Sequence, residues 1–284
     1  MRSLYQQFEQ QGYIIVENLL SPSEVSEYID KLQQISGLSH QDYDYAWSCA
    51  NGVSKHPEFW SLIQHPLLVS KVREIFGDSA GYTLHSDLHV HRKGAGWHRD
   101  CAHRTYGSGP DWDESQEKYQ IARVAIYLQS YEESGSSLVL IPGSHHYEFP
   151  LSKWERRFWK YFTKIRNRLK LTLPNQSTQE NSPLQSLVRT TPSPYFMQPP
   201  TPPVYIKTEP GDCIIFDPRL IHSGSPIYGP KYAIFLTYGI NNKHARNHMH
   251  YYLYTRTDLD YEKPSPELAQ IANSREWKTH RVFN

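Results

Sequence analysis

Of the features that would classify it quickly, the 284-residue sequence has few. Cysteine is scarce: Cys49, Cys101 and Cys213 are odd in number and far apart, which argues against a disulfide framework and for a reducing compartment. Cys101 reads as a bystander rather than a nucleophile. Charge of one sign is missing too. Thirty Lys and Arg stand against 29 Asp and Glu, a formal net charge of +1, so there is no bulk basic field for nucleic acid and no acidic tail. No apolar run approaches the length of a membrane span, and Met1 to Gln7 lack the apolar centre of a signal peptide. These absences leave a cytoplasmic protein with a small-molecule partner, no nucleic acid and no stable membrane insertion. What the chain does have is aromatics and imidazole, with 21 Tyr and 15 His. That composition fits a polar, aromatic-lined pocket and fits hydrogen-bonded β-structure equally well.

Periodicity predicts strands flanked by helices. Leu4 to Gly12 reads as a short helix ending at the glycine, followed by the β-branched strand Tyr13 to Val16. Ser21-Pro22-Ser23-Glu24 is a capping box opening a helix to about Ile35, with Val25, Tyr28, Ile29 and Leu32 on its core stripe. Ser36 to Pro57 is polar and aromatic without clear period: a loop folded over a pocket mouth, or a plain surface loop. A helix starts at His65-Pro66 and closes at Gly77.

Tyr82 to His91 is predicted as a strand with an unusual face. Alternation puts Thr83, His85, Asp87, His89 and His91 on one side, a polar pocket wall, an alternative metal site or a solvated edge. Ile121 to Gln129 is a strand with Arg123, Ala125, Tyr127 and Gln129 on one face. An arginine on an interior face needs an anion, so Arg123 is a candidate for a substrate or cosubstrate carboxylate, or part of a structural ion pair. A turn, a short strand and a second tight turn follow over Glu132 to His145, then strands at Val204 to Ile206, Cys213 to Phe216 and Lys231 to Tyr238, the last with Lys231, Ala233, Phe235 and Thr237 on one face. Between them, residues 153–170 read as an amphipathic basic helix, preferred as a lid, and 174–203 as an irregular Pro-rich stretch. We expect one domain over 1–284 with a lid-like insertion at about 150–203, since residues on both sides of it build one site.

That site is Trp97-His98-Arg99-Asp100 with His222. Residues two apart in extended chain project to one side, so His98 and Asp100 can reach one ion while Arg99 points away. With a distant second histidine they form a 2-His-1-carboxylate set that covers one face of an octahedral metal and leaves the other open; the donors suit Fe(II), with Mn, Co, Ni or Zn possible. His40-Gln41-Asp42 and His85-Ser86-Asp87 share the spacing. The first has no strand beside it, and only the third pair is followed by a strand, a Gly-rich turn, another strand and a distant histidine at a strand end.

These motifs, in order, resemble the phytanoyl-CoA dioxygenase family of Fe(II)/2-oxoglutarate oxygenases. The pieces are Gly12 to Val16 with Leu20 to Val25, Trp97 to Asp100, Gly135 with Ile141-Pro142-Gly143-Ser144-His145, and Pro210-Gly211-Asp212 leading to His222. The resemblance implies a mainly β fold with flanking helices, a double-stranded β-helix (jelly-roll, cupin-like) barrel, with iron held by His98, Asp100 and His222. It implies 2-oxoglutarate and O2 as cosubstrates, oxidised and decarboxylated to succinate and CO2 as a substrate hydrogen is abstracted and hydroxyl delivered. Where the family places an arginine for the far carboxylate of 2-oxoglutarate, this chain has Lys231; Lys231 or Arg123 takes that role, with Thr237 beside them. Asp100 argues against halogenation, because related halogenases replace this carboxylate. His85, Asp87, His89, Trp97 and Tyr127 are candidate substrate contacts, suited to a small polar, amino-acid-derived metabolite that is hydroxylated, desaturated, cyclised or dealkylated. The alternatives are an acyl-CoA hydroxylase of the same family, a cupin-like metal dioxygenase that uses no 2-oxoglutarate, and a non-catalytic barrel with a structural site whose basic, Pro-rich insertion recruits a partner.

Overall fold

The computed structural model describes residues 3–94, 96–100, 114–146 and 202–272. The basic helix expected at 153–170, residues 174–201 of the Pro-rich stretch and Cys101 lie outside the described residues.

Local chemistry starts the chain as the sequence predicts. Helix α1 (Leu4–Gln11) ends where Gly12 takes φ +82°, a left-handed turn that only glycine enters cheaply. Strand β1 (Tyr13–Val16) follows. Helix α2 (Pro22–Ser36) begins at the expected capping box: Ser21 Oγ accepts from the Glu24 amide while Glu24 takes the Ser21 amide, a cap that contributes about 1 kcal/mol. Val25, Tyr28 and Leu32 are buried and Ile29 packs partly against the same core.

The stretch read as a loop over Ser36 to Pro57 contains strand β2 (Trp47–Ala50) and the short helix α3 (Gly52–Lys55). The strand is an edge of only four residues, held by antiparallel pairing to β3 (Gly81–Val90), with Ser48 opposite His89 and Ala50 opposite Asp87, while Trp47 and Cys49 pack partly against the hydrophobic core. Helices α4 (Trp60–Ile63) and α5 (Pro66–Phe76) precede β3, and α5 buries Leu68, Val72, Ile75 and Phe76. After β3 come β4 (Ile121–Tyr127), helix α6 (Tyr131–Ser134), β5 (Leu138–Leu140), β6 (Val204–Ile206), β7 (Cys213–Phe216), β8 (His222–Gly224) and β9 (Tyr232–Gly239). Helix α7 (Lys243–His250), a π-helical turn over Tyr251–Thr255 and helix α8 (Pro266–Ile271) end the described chain.

The strands form an antiparallel six-stranded sheet, ordered β1-β7-β4-β9-β3-β2, and a three-stranded sheet, ordered β6-β5-β8. Strand parity divides the core in two. Ala122, Val124, Ile126, Ile234 and Leu236 face outward and pack with Phe8, Val25, Leu32 and Val72 of the helices. Ala125, Tyr127, Ile214, Phe216 and Ala233 face inward and pack with Leu138, Leu140 and Ile206 of the small sheet and with Leu220 just before β8. This is the jelly roll, made as two facing sheets rather than a closed barrel. The segment that follows β3 joins β8 of the small sheet through a bridge in which His98 and His222 exchange backbone hydrogen bonds of 2.9 and 3.0 Å.

Candidate metal centre

Three chain segments converge at that bridge. His222 opens β8, which is held against β5 with Leu140 opposite His222. Before it, Arg219 is buried and pairs with Asp217 through two nitrogens, fixing the turn into the strand. The segment carrying His98 and Asp100 lies against β8, and a Cβ built on Gly94 would fall 2.4 Å from the Gly224 Cα, so the two glycines set how closely the backbones approach. The Asp100 amide donates to Pro218 O at 2.7 Å. Arg99 turns the other way, buried and donating to the carbonyls of Ser144 and Arg219.

His98, Asp100 and His222 offer ligand atoms that all lie within 4.8 Å of one another. The His98 Nδ1 sits 2.6 Å from Gly96 O and the His222 Nδ1 2.9 Å from Leu220 O. A carbonyl only accepts, so both Nδ1 atoms carry hydrogen, and in the neutral rings each Nε2 presents a lone pair. Those Nε2 atoms lie 3.2 and 3.5 Å from the two Asp100 oxygens. Burial acts to raise the Asp100 carboxyl, but Arg123 and His222 outweigh it and hold the group well below the usual carboxylate range. Burial, then His98, pushes the His222 imidazole down. Two imidazole lone pairs and a carboxylate facing one another fit a cation with nitrogen and oxygen ligands, such as a divalent transition metal.

A cavity of about 290 Å³ opens onto these residues. Of the candidate substrate contacts, His85, Asp87, His89 and Tyr127 line it. Trp97 does not; it is half-buried, and its indole N–H has no partner among the described residues. His91, on the same predicted strand face as His85, also stays out of the lining. Its backbone turns to φ +53°, and its ring accepts the Lys231 amide and reaches Ser39 O, a structural role. The β3 register also shifts between Tyr82 and Ser86, where Leu84 takes φ +56°. Such an irregularity re-aims neighbouring side chains, and His85 follows it directly.

The two cations behave differently. Arg123 is buried and fully engaged: Nη2 to Asp87 at 2.5 Å, Nη1 to His85 Nε2 at 2.6 Å, and Nε 3.3 Å from Asp100 Oδ2. The last contact is an ion pair without hydrogen-bond alignment. Lys231 is buried at the start of β9, donates to Arg92 O at 2.9 Å, and pairs with no carboxylate among the described residues. Burial, with Arg92 nearby, lowers its ammonium to about 8. Thr237 does not line the cavity; its hydroxyl lies 3.3 Å from His85 Nδ1. His85 and His89 are held neutral by burial first, then by Arg123 and Lys231 respectively.

Two parts of this lining were not among the candidate site residues, although a loop over a pocket mouth was one reading of Ser36 to Pro57. Ser48 and Ala50 come from the β2 edge, and Tyr252, Arg256, Leu259 and Tyr261 from the C-terminal segment. The only signal for the latter was the density of His and Tyr after Asn241.

The sequence matches the phytanoyl-CoA dioxygenase (PhyH) family over residues 8–233. The chain belongs to that family. Phytanoyl-CoA dioxygenase family members are non-haem iron enzymes that use 2-oxoglutarate and act on small molecules. No match was found among curated protein sequences. Solved structures with similar folds include the epimerase SnoN in complex with Fe3+, alpha ketoglutarate and nogalamycin RO, at 14% identity and TM-score 0.53, covering 84% of this chain and 82% of that one. The non-heme alpha ketoglutarate dependent carbocyclase SnoK from nogalamycin biosynthesis matches at 17% and 0.54, covering 84% and 83%. A nickel complex of the non-heme monooxygenase ThoJ matches at 13% and 0.51, covering 84% and 78%. At such identities the likeness is one of fold, and PhyH membership rests on the sequence match. No described helix is long and apolar enough to cross a membrane.

Proposed function

We propose that this PhyH-family chain binds Fe(II) through His98, Asp100 and His222, holds the far carboxylate of 2-oxoglutarate on Lys231, and hydroxylates a small polar metabolite in the cytoplasm. The observation that carries the reading is the convergence of two Nδ1-tethered imidazoles and a carboxylate at the end of a cavity that contains a buried lysine with no carboxylate partner among the described residues. When bound, the iron and 2-oxoglutarate supply the oxidising chemistry, activating O2 as the keto acid becomes succinate and CO2.

The chain's own groups do the rest. Gly96 O and Leu220 O orient the two ligand rings, and such outer partners are worth about 10–100-fold in metal affinity. Arg123 holds Asp100 from one side, with Asp87 and His85 on its other nitrogens, so its charge already answers two carboxylates and it serves to position Asp100. Lys231 is the better anchor for 2-oxoglutarate. A buried ammonium facing only a carbonyl is costly, and an arriving carboxylate supplies the missing partner. The grip is one point of charge, without the planar two-point fork of arginine. The same lysine works against a cupin-like chemistry without 2-oxoglutarate, which would leave it unpaired. The apolar residues Phe216, Phe235 and Leu138 line the cavity and reduce water at the reacting position.

The test is oxygen consumption with Fe(II) and 2-oxoglutarate and detection of succinate. Wild-type protein should form succinate, and Asp100→Ala should not; succinate formation undiminished in Asp100→Ala would refute the ligand set.

A further inference from the structure

The family match ends at residue 233, but the cavity does not. Tyr252, Arg256, Leu259 and Tyr261 all line it and all follow the matched span. Their placement is built. Asn242 caps α7 by accepting the Ala245 amide at 3.0 Å. His248, buried on that helix, then meets His85 ring to ring, its Nε2 2.8 Å from His85 Nδ1. The helix continues into the π-helical turn, a widened geometry that is frequent at functional sites. There Tyr252 lies on the His85 ring with centroids 3.7 Å apart and planes at 21°. Tyr261 packs behind it at 5.4 Å, its hydroxyl buried with no hydrogen bond among the described residues.

The charges of the lining do not cancel. Asp87 and Asp100 are answered by Arg123, and Arg256 is held by Asp258 through two contacts of 2.8 Å. Arg92 and Lys93 remain: Arg92 donates to Ser48 Oγ, and neither pairs with a carboxylate among the described residues. With Lys231 committed to the cosubstrate, the substrate meets two more cations. The space is small, because a cavity of about 290 Å³ is shared with metal and 2-oxoglutarate.

We propose that residues 243–261 form the specificity-determining wall of this chain's site, selecting a small substrate that sets an acidic group at Arg92 and Lys93 and an apolar or aromatic body on Tyr252 and Tyr261. This inference rests on the metal and cosubstrate reading above. Arg92 and Lys93 read the charge; Tyr252, seated on His85, reads the shape.

The test uses the whole protein loaded anaerobically with Fe(II) and 2-oxoglutarate and titrated calorimetrically with benzoate, phenyl phosphate and neutral benzyl alcohol. At least one anion should bind about tenfold or more tighter than benzyl alcohol, and the preferred anion distinguishes a carboxylate from a phosphate. The double variant Arg92→Ala, Lys93→Ala should erase that advantage and leave benzyl alcohol unchanged. Tyr252→Ala should weaken all three probes about tenfold, whereas Tyr252→Phe, which keeps the ring, should bind as wild type. The visible band of the loaded protein should persist in every variant. Equal affinity for anion and alcohol, an anion advantage that survives the double variant, or no binding of any probe would overturn the proposal. Absence of the band in wild-type protein would instead overturn the metal and cosubstrate reading.

Discussion

In β4, Ala122, Val124 and Ile126 point to the helices, while Arg123, Ala125 and Tyr127 point to the small sheet. The same parity runs through the neighbouring strands. Leu84, Leu88 and Val90 of β3 and Ile234 and Leu236 of β9 join the outer core, while His85, Asp87 and His89 of β3 and Phe235 of β9, with Lys231 beside it, line the cavity. One face is apolar and buys stability; the other gathers charge around a candidate metal site. The inner face tolerates that charge because Arg123 stands between two carboxylates, so removing Arg123 leaves both of them without their cation. Lys231 differs: it is a buried cation that pairs with no carboxylate among the described residues. The difference teaches that strand parity separates what holds the fold from what does the chemistry, and that separation can be broken on either side.

The largest expected effect comes from the ligands. His222→Ala should lower turnover at least about a thousandfold, roughly 4 kcal/mol of lost transition-state stabilisation, with the melting transition little changed. A thermal scan beside a turnover assay checks both halves. The converse variant, Ile126→Ala on the outer face, should destabilise by about 2–5 kcal/mol in denaturant titration while the folded fraction still binds metal. If Ile126→Ala instead removes metal binding from folded protein, the two faces are not separable.

Smaller effects divide the two inner cations. Lys231→Ala should raise the 2-oxoglutarate requirement about 10–100-fold, as the loss of one charge-assisted bond implies, and leave metal affinity alone. Arg123→Lys, which keeps charge but loses the fork, should weaken metal affinity about tenfold and leave the 2-oxoglutarate affinity of loaded protein near wild type. A swapped outcome would exchange their roles. The pH dependence is the smallest effect. The Lys231 ammonium, lowered to about 8 by burial and Arg92, must be protonated to hold a carboxylate, and neutral His89 beside it adds no charge. Affinity for 2-oxoglutarate should therefore fall as pH rises through about 8, approaching tenfold per unit, while Lys231→Arg should stay flat over the same range.

Local chemistry made much of this legible. The Ser21 cap, the glycine after α1, the alternation of β4 and the spacing of His98 and Asp100 each depend on residues a few positions apart, and each has its expected structure. What was illegible depends on pairing across the chain. β2 is held by its pairing to β3, and four residues, Trp47 to Ala50, are too short a run for their alternation to stand out in the sequence. The commitment of Arg123 to both Asp87 and Asp100 joins β4 to two separate segments, so its sequence neighbours could not distinguish a structural ion pair from a cosubstrate anchor. His91 shares a predicted face with His85 and leaves it through a single positive φ. The aromatic wall after α7 needed a π turn that no local pattern announced.

The whole account turns on His98, Asp100 and His222 holding Fe(II) together with 2-oxoglutarate. An anaerobic Fe(II) titration, followed in the visible with and without 2-oxoglutarate, addresses it. A weak charge-transfer band should appear only when both are present and should be absent in His98→Ala. Iron that binds with no such band on adding 2-oxoglutarate, or a band undiminished in His98→Ala, would contradict it.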